Sequence, residues 1–268
     1  MSNINSASKL FKVLREKEKS LGVRENYGSE FSQSGECTRI GALLIHGFGS
    51  SPTEMNDLKE FLFNKGINVL SIRLDGHATT VENFSNSGKD SWLASVREGY
   101  EIISEVCENT FIIGQSLGAG LALIIEPELK PAGVVSFVAP WLIKDKRLFL
   151  TTFKIIRLFF PYTYTNSESE TEEFIYSKRP TITLAEMYKV SKEILPALPN
   201  LKSPIFLAHA EDDETVDVKS VDLIYEKAGS AVKEIYKMNS GGHRLTLSEN
   251  SNRDALFNKT LQFMESNS

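Results

Sequence analysis

The chain has 268 residues, enough for one large α/β domain with a full core or for two small domains. With 41% hydrophobic and 24% charged residues it reads as an ordinary globular chain, and a net charge of −5 argues against nucleic acid as its partner. Two cysteines, Cys37 and Cys107, make neither a disulfide framework nor a metal-ligand spacing, so a disulfide scaffold and a cysteine metal site are excluded.

Residues 1–36 are polar and weakly patterned and are expected to form an N-terminal extension. Within it, "SKLFKVLREKEK" has the pattern of a short basic helix, expected to lie solvated at the surface. The first twenty residues lack the apolar core and cleavage site of a signal peptide. No apolar run reaches the roughly eighteen residues of a transmembrane helix. A cytoplasmic location is therefore expected.

"RIGALLIH", 39–46, is the first buried strand: short, apolar and closed by Gly47. Pro52 opens a helix that runs through "TEMNDLKEFLFNKG" to Gly66. "INVLSIRL", 67–74, is the second strand, and "DGHATTVENFSNSGKD" a polar loop. "SWLASVREGYEIISEVC" has helical spacing at Trp92, Val96, Tyr100 and Ile103. A strand over 110–114 leads into a helix from Ser116 onward, and "AGVVSFVAP", 132–140, is another buried strand. Apolar strands alternating with amphipathic helices predict a mostly parallel sheet with helices on both faces.

The alternation stops at 141–200, which carries no clear strand. This stretch holds an aromatic, basic segment, "RLFLTTFKIIRLFFPYTYT", an acidic one, "NSESETEEF", and a helical pattern near "TLAEMYKVSKEIL". An insertion of this length between strands reads as a lid or a partner surface. The α/β pattern resumes with the strand "SPIFLAHA", the helix "VDVKSVDLIYEKAG", the strand "AVKEIYKM" and a closing helix. The core is thus expected at 37–140 and 201–268, with a mostly helical cap at 141–200.

Chemistry concentrates at "TFIIGQSLGAGLAL". Gly114-Gln115-Ser116-Leu117-Gly118 has the form G-x-S-x-G, with an apolar strand before it and a helix after it. Side chains at the two flanking positions would collide with so tight a turn, so glycine is required there. A serine hydroxyl needs a base to take its proton, and in this architecture the partners follow in the order acid, then histidine. Only His209 and His243 follow Ser116. His209 lies inside a strand, where a core or strand-end role is expected. His243 lies in the glycine loop "NSGGHRLTL". The acid comes from "AEDDETVDV", where Asp213 is the best placed because Val216 can pack inward three residues later; Asp212 is the alternative. The tetrahedral oxyanion needs two donors, expected to be the backbone N–H groups of Leu117 and Phe48, the latter in "LLIHGFGSSPTEM". The Phe48 ring would border the acyl pocket, and His46 would order its loop.

These segments, together with "LSIRLDGHATTVENF", resemble the α/β-hydrolase family, most of all its bacterial carboxylesterases and monoacylglycerol lipases. The resemblance spans about 40–268 apart from the insertion. It implies an α/β-hydrolase fold with Ser116 as nucleophile, Asp213 as acid, His243 as base, and Phe48 and Leu117 as oxyanion-hole residues. It implies no cofactor and no metal. Asp75 stands where relatives commonly have proline, and His77 is expected to order that loop.

The expected activity is hydrolysis of carboxylic esters, of short to medium acyl chains or monoacylglycerols, through an acyl-enzyme on Ser116. Phe153, Phe159 and Phe160 are candidates for the acyl site. The competing reading is that this aromatic face, with the basic residues beside it, is a dimer surface or makes peripheral contact with anionic lipid. Acyl transfer, amide or thioester hydrolysis on the same residues, and a non-catalytic binding protein with this fold are the alternatives. The oligomeric state is not legible.

Overall fold

The strands alternate with helices because short β-branched and aliphatic runs are separated by longer amphipathic ones. The computed structural model describes residues 2–35, 37–164, 176 and 178–268. The strands among the described residues are β1 (Glu30–Ser32), β2 (Thr38–Ile45), β3 (Asn68–Ile72), β4 (Cys107–Gln115), β5 (Gly133–Phe137), β6 (Tyr162–Tyr164), β7 (Lys178–Pro180), β8 (Ile205–Ala210) and β9 (Lys233–Met238). Its α-helices are α1 (Ser2–Ser20), α2 (Asn56–Phe63), α3 (Val81–Ser85), α4 (Lys89–Ser104), α5 (Leu117–Leu129), α6 (Lys154–Phe159), α7 (Thr181–Ala197), α8 (Lys219–Lys227) and α9 (Arg253–Ser266).

Seven strands form one sheet in the order β1-β3-β2-β4-β5-β8-β9. Every pairing in it is parallel except that of β1 with β3. The two faces of the sheet carry alternate residues of each strand. Leu43, Ile45, Leu70, Ile72, Ile112 and Val134 face Trp92 and Val96 of α4 and Leu121 of α5. Ala42, Leu44, Val69, Phe111, Ile113 and Val135 face Leu58 and Leu62 of α2 and Phe263 of α9. This is the doubly covered parallel sheet expected from the sequence.

Several elements differ from expectation. Strand β4 begins at Cys107, because pairing of Thr38 with Cys107 and of Ile40 with Asn109 carries the ladder past the apolar run. Helix α4 accordingly stops at Ser104. The polar loop after β3 contains α3, capped by the Thr80 hydroxyl, which accepts the Asn83 N–H, and anchored by buried Phe84. The N-terminal helix is docked rather than solvated: Ala7 and Leu14 join the core, and Glu18 is fully buried. Its carboxylate accepts from the Ser29 amide and hydroxyl, from Arg15 and from Arg73.

After β5 the chain leaves the sheet until β8. Described residues of this insertion include the helical turn Lys146–Thr152, α6 and α7. It also contains strands, contrary to expectation: β6 and β7 pair antiparallel, with Thr163 opposite Arg179. The acidic stretch 166–174 lies outside the described residues. Tyr176 ties the insertion to the core. Its amide donates to Gly49 O, its hydroxyl donates to Gly76 O, and its ring stacks on Phe84 with centroids 4.5 Å apart.

Candidate active site

The turn from β4 into α5 is strained. Ser116 has φ 52°, ψ −112°, a conformation that L residues avoid. The flanking glycines make the turn possible. A Cβ on Gly114 would lie 2.2 Å from the Gly118 carbonyl carbon, and one on Gly118 would lie 2.2 Å from Ile45 O. The Ser116 amide, which donates to Phe137 O at 2.9 Å, pins the turn to β5.

Ser116, Asp213 and His243 come together from three separate loops at the carboxyl ends of the strands. His243 Nε2 lies 2.9 Å from Ser116 Oγ, and His243 Nδ1 lies 2.9 Å from Asp213 Oδ2. With the Nδ1 proton donated to the carboxylate, Nε2 is left to accept the serine proton. Asp213 is almost fully buried, which by itself pushes its pKa up. Hydrogen bonds from His209 and His243, the charge of His243 and the Val216 amide outweigh burial and hold the carboxyl well below the usual carboxylate range. Its other oxygen accepts the amides of Thr215 and Val216, at 2.7 and 3.0 Å. The carboxylate therefore stays charged and fixed.

Asp212, the alternative acid, serves the neighbouring loop instead. Its two oxygens accept the amides of Gly241 at 3.2 Å and Gly242 at 2.8 Å. The His243 carbonyl accepts from Gln115 Nε2 at 2.6 Å, which joins the histidine loop to the serine turn.

The loop after β2 is built from both sides. His46 is fully buried; its Nδ1 donates to Gly47 O and its Nε2 accepts the Leu74 amide. Burial lowers its pKa to about 3, so the ring is neutral and orders the loop as expected. His77 bonds Asp75 O and packs among Phe48, Phe84 and Trp92. Among the described residues, the amides of Phe48 and Leu117 donate to no protein acceptor.

A cavity of about 930 Å³ opens over Ser116 and His243. Phe48, Ile143, Leu148, Phe160, Leu184 and Met187 supply most of its apolar wall. Of the four phenylalanines expected at an acyl site, Phe48 and Phe160 line it. Phe153 and Phe159, 51% and 70% exposed, do not line it; Phe160 does, although it is itself 65% exposed.

Two side chains of the site escaped the sequence reading. Glu54 is buried beside the cavity, accepts the Gly47 amide and lies 3.6 Å from Arg244 Nε, so it links the loop after β2 to the residue following His243. Burial pushes its pKa up, against the opposing effects of the Gly47 amide, Arg244 and His243. In the sequence it reads only as an acid in a first helical turn. His209 sits at the end of β8 with Nε2 3.2 Å from Asp213 Oδ2. A strand-end role was expected for it, but not a contact with the acid.

The sheet order, the strained serine turn and the insertion after β5 define the α/β-hydrolase class. Within that class the chain belongs to the Hydrolase_4 family, described as serine aminopeptidase, S33, whose model matches residues 38–250. It is a serine-hydrolase-type enzyme of the lipase and esterase kind. It is 27% identical over 212 residues to a thermostable monoacylglycerol lipase of Bacillus sp. (strain H-257), covering 78% of this chain and 84% of that one. It is 25% identical over 228 residues to a carboxylesterase of Bacillus subtilis (strain 168), covering 83% and 91%. Among solved structures, one from work on the metagenome-derived lipolytic enzymes LipS and LipT superposes with TM-score 0.82 at 23% identity, covering 91% of this chain and 99% of that one. A soluble variant of the Saccharomyces cerevisiae monoglyceride lipase superposes with TM-score 0.75 at 14% identity, covering 90% and 92%. Among the described residues, no helix is long and apolar enough to cross a membrane.

Proposed function

We propose that the protein hydrolyses carboxylic esters through an acyl-enzyme on Ser116, with His243 as base and Asp213 as the acid that orients it. The relay from Ser116 Oγ through His243 to Asp213, with both steps at 2.9 Å, carries the reading. As Ser116 Oγ attacks the ester carbonyl, its proton passes to His243 Nε2. Negative charge develops on the carbonyl oxygen, where the amides of Phe48 and Leu117 receive it. Collapse breaks the ester bond, and the alcohol leaves with the proton from His243. Water then gives its proton to His243 and attacks the acyl carbon, releasing the acid and restoring the serine.

The insertion acts as a cap whose apolar lining takes the acyl chain. Each methylene buried there contributes on the order of 0.8 kcal/mol, about fourfold in affinity. The exposed aromatic side of the cap, with Lys146 and Lys154 beside Phe153 and Phe159, suits contact with anionic lipid, where such esters reside. Relatives named for monoacylglycerol lipase and carboxylesterase activity support this substrate class.

The family description raises aminopeptidase activity as the second reading. Recognising a free α-ammonium group calls for an uncommitted carboxylate in the cavity. Of the two described carboxylates that line it, Glu54 is held by Gly47 and Arg244, and Asp145 by Arg147. The site therefore favours esters.

The test pairs a fluorophosphonate probe with p-nitrophenyl esters from acetate to palmitate, monoacylglycerols and aminoacyl p-nitroanilides. Labelling at Ser116 and ester turnover that both vanish in Ser116→Ala are expected. Anilide turnover exceeding ester turnover would establish the peptidase reading, and absence of labelling would leave a binding protein.

A further inference from the structure

Among the described residues, one arginine lining the cavity over Ser116 makes no ion pair. Arginines 147, 179 and 244 all line it. Arg147 is paired with Asp145, and Arg244 lies against Glu54. Arg179, on β7, makes no ion pair among the described residues, and its Nε is buried without a hydrogen-bond acceptor. Its guanidinium carbon lies 5.8 Å from the centroid of the Phe48 ring, and its side chain packs against Gly49. That places it on the loop that carries the Phe48 amide. Ser50, the next residue of that loop, is 4% exposed, lines the same cavity, and has a hydroxyl with no partner.

A guanidinium taken out of water without an anion is costly, and contact with an aromatic ring offsets only part of that cost. A buried hydroxyl without a partner adds to it. The two groups border one cavity, and among the described residues neither Arg179 Nε nor the Ser50 hydroxyl has a hydrogen-bond acceptor. A guanidinium and a hydroxyl together supply the donors that a carboxylate or phosphate accepts. An ester with a neutral, wholly apolar body would leave both unsatisfied in the closed complex.

We propose that Arg179 and Ser50 form an anion subsite, and that the substrate is an ester whose non-reacting part carries a carboxylate or a phosphate. The subsite rests on the ester-hydrolase reading for its use, but its binding is measurable without turnover. The charge can sit on the acyl side or on the alcohol side, and the two sources are separated by substrate pairs. Mono-p-nitrophenyl glutarate against p-nitrophenyl butyrate tests the acyl side. 1-Butyrylglycerol 3-phosphate against 1-butyrylglycerol tests the alcohol side.

In one of these pairs, the charged-to-neutral ratio of kcat/KM should fall about 10- to 100-fold in Arg179→Gln and less in Ser50→Ala, as expected for loss of a charge-assisted hydrogen bond. Arg179→Lys, which keeps the charge but not the planar donor pair, should fall between wild type and Arg179→Gln. Thermal unfolding of each variant identifies any that fails to fold. In parallel, glutarate and glycerol 3-phosphate are titrated calorimetrically into the Ser116→Ala protein, with and without Arg179→Gln. Binding of either anion that weakens at least tenfold with the second substitution supports the subsite even if no ester is hydrolysed, an outcome that would defeat the ester reading alone. Unchanged ratios in both pairs, together with no Arg179-dependent binding of either anion, would overturn the subsite while leaving ester hydrolysis standing.

Discussion

At the scale of single residues, two adjacent aspartates divide the work. Asp213 receives His243, His209 and two backbone amides, whereas Asp212 receives the amides of Gly241 and Gly242. Asp213→Asn replaces one acceptor oxygen by an NH₂ group and favours the wrong histidine tautomer, so kcat on soluble esters should fall by about 10⁴-fold. Asp212→Asn keeps one acceptor oxygen for the loop amides, and kcat should stay within about tenfold of wild type. Steady-state kinetics of the two variants checks the order. Two buried histidines make stability fall in acid. Burial holds His46 at about 3 and His77 well below 6.5. Below pH 6.5 the unfolded chain gains protons on these rings and the folded chain does not, so their stability contribution is complete above 6.5 and is lost as pH falls toward the folded values. Each contributes a slope of up to about 1.4 kcal/mol per pH unit. His77→Phe should remove one such group, and urea unfolding between about pH 4.5 and 6 should show the shallower slope.

At the scale of elements, the N-terminal helix reaches the site through polar contacts. Glu18 of α1 bonds Arg73 at the end of β3, and Arg73 Nη1 donates to Leu74 O and His77 O. Leu74 in turn donates to His46, which bonds Gly47. Helix α1 thus supports the loop that presents Phe48. Removing Glu18 leaves Arg73, only 4% exposed, with an uncompensated charge. Glu18→Ala should cost about 3–5 kcal/mol in denaturant unfolding. A loss below about 1 kcal/mol would mean that water or Arg73 backbone partners replace the carboxylate.

At the scale of the molecule, the insertion has two aromatic surfaces with different fates. Phe160, itself 65% exposed, lines the cavity, while Phe153, Phe159, Ile155 and Leu158 are exposed without lining it. Phe160→Ala should shorten the acyl chain that gives the highest kcat/KM on soluble p-nitrophenyl esters, since one wall of the pocket is lost. The double substitution Phe153→Ser, Phe159→Ser should leave that optimum in place and weaken sedimentation with phosphatidylglycerol vesicles. A shifted optimum in the double variant, with vesicle binding intact, would move the acyl wall to α6.

Local chemistry made much of this protein legible in one dimension. Strand periodicity exposed the parallel sheet, because alternate residues of a strand must face two apolar layers. The glycines around Ser116 marked the strained turn, because nothing larger fits beside Gly118 or Ile45. Chain order left His209 and His243 as candidates for the base, the strand around His209 favoured His243, and the inward packing of Val216 favoured Asp213 as the acid. Other features depended on contacts between residues far apart in sequence, for which no local pattern exists. Docking of α1 required a buried Arg73 to answer Glu18. Glu54 acquired its place only when the start of α2 came against Gly47 and Arg244. The pairing of β6 with β7 joined two three-residue strands too short to carry a period. Arg179 is one basic residue among thirty in the sequence. Only the fold, by placing it against Gly49 in the wall of the cavity over Ser116, left it without an ion pair among the described residues.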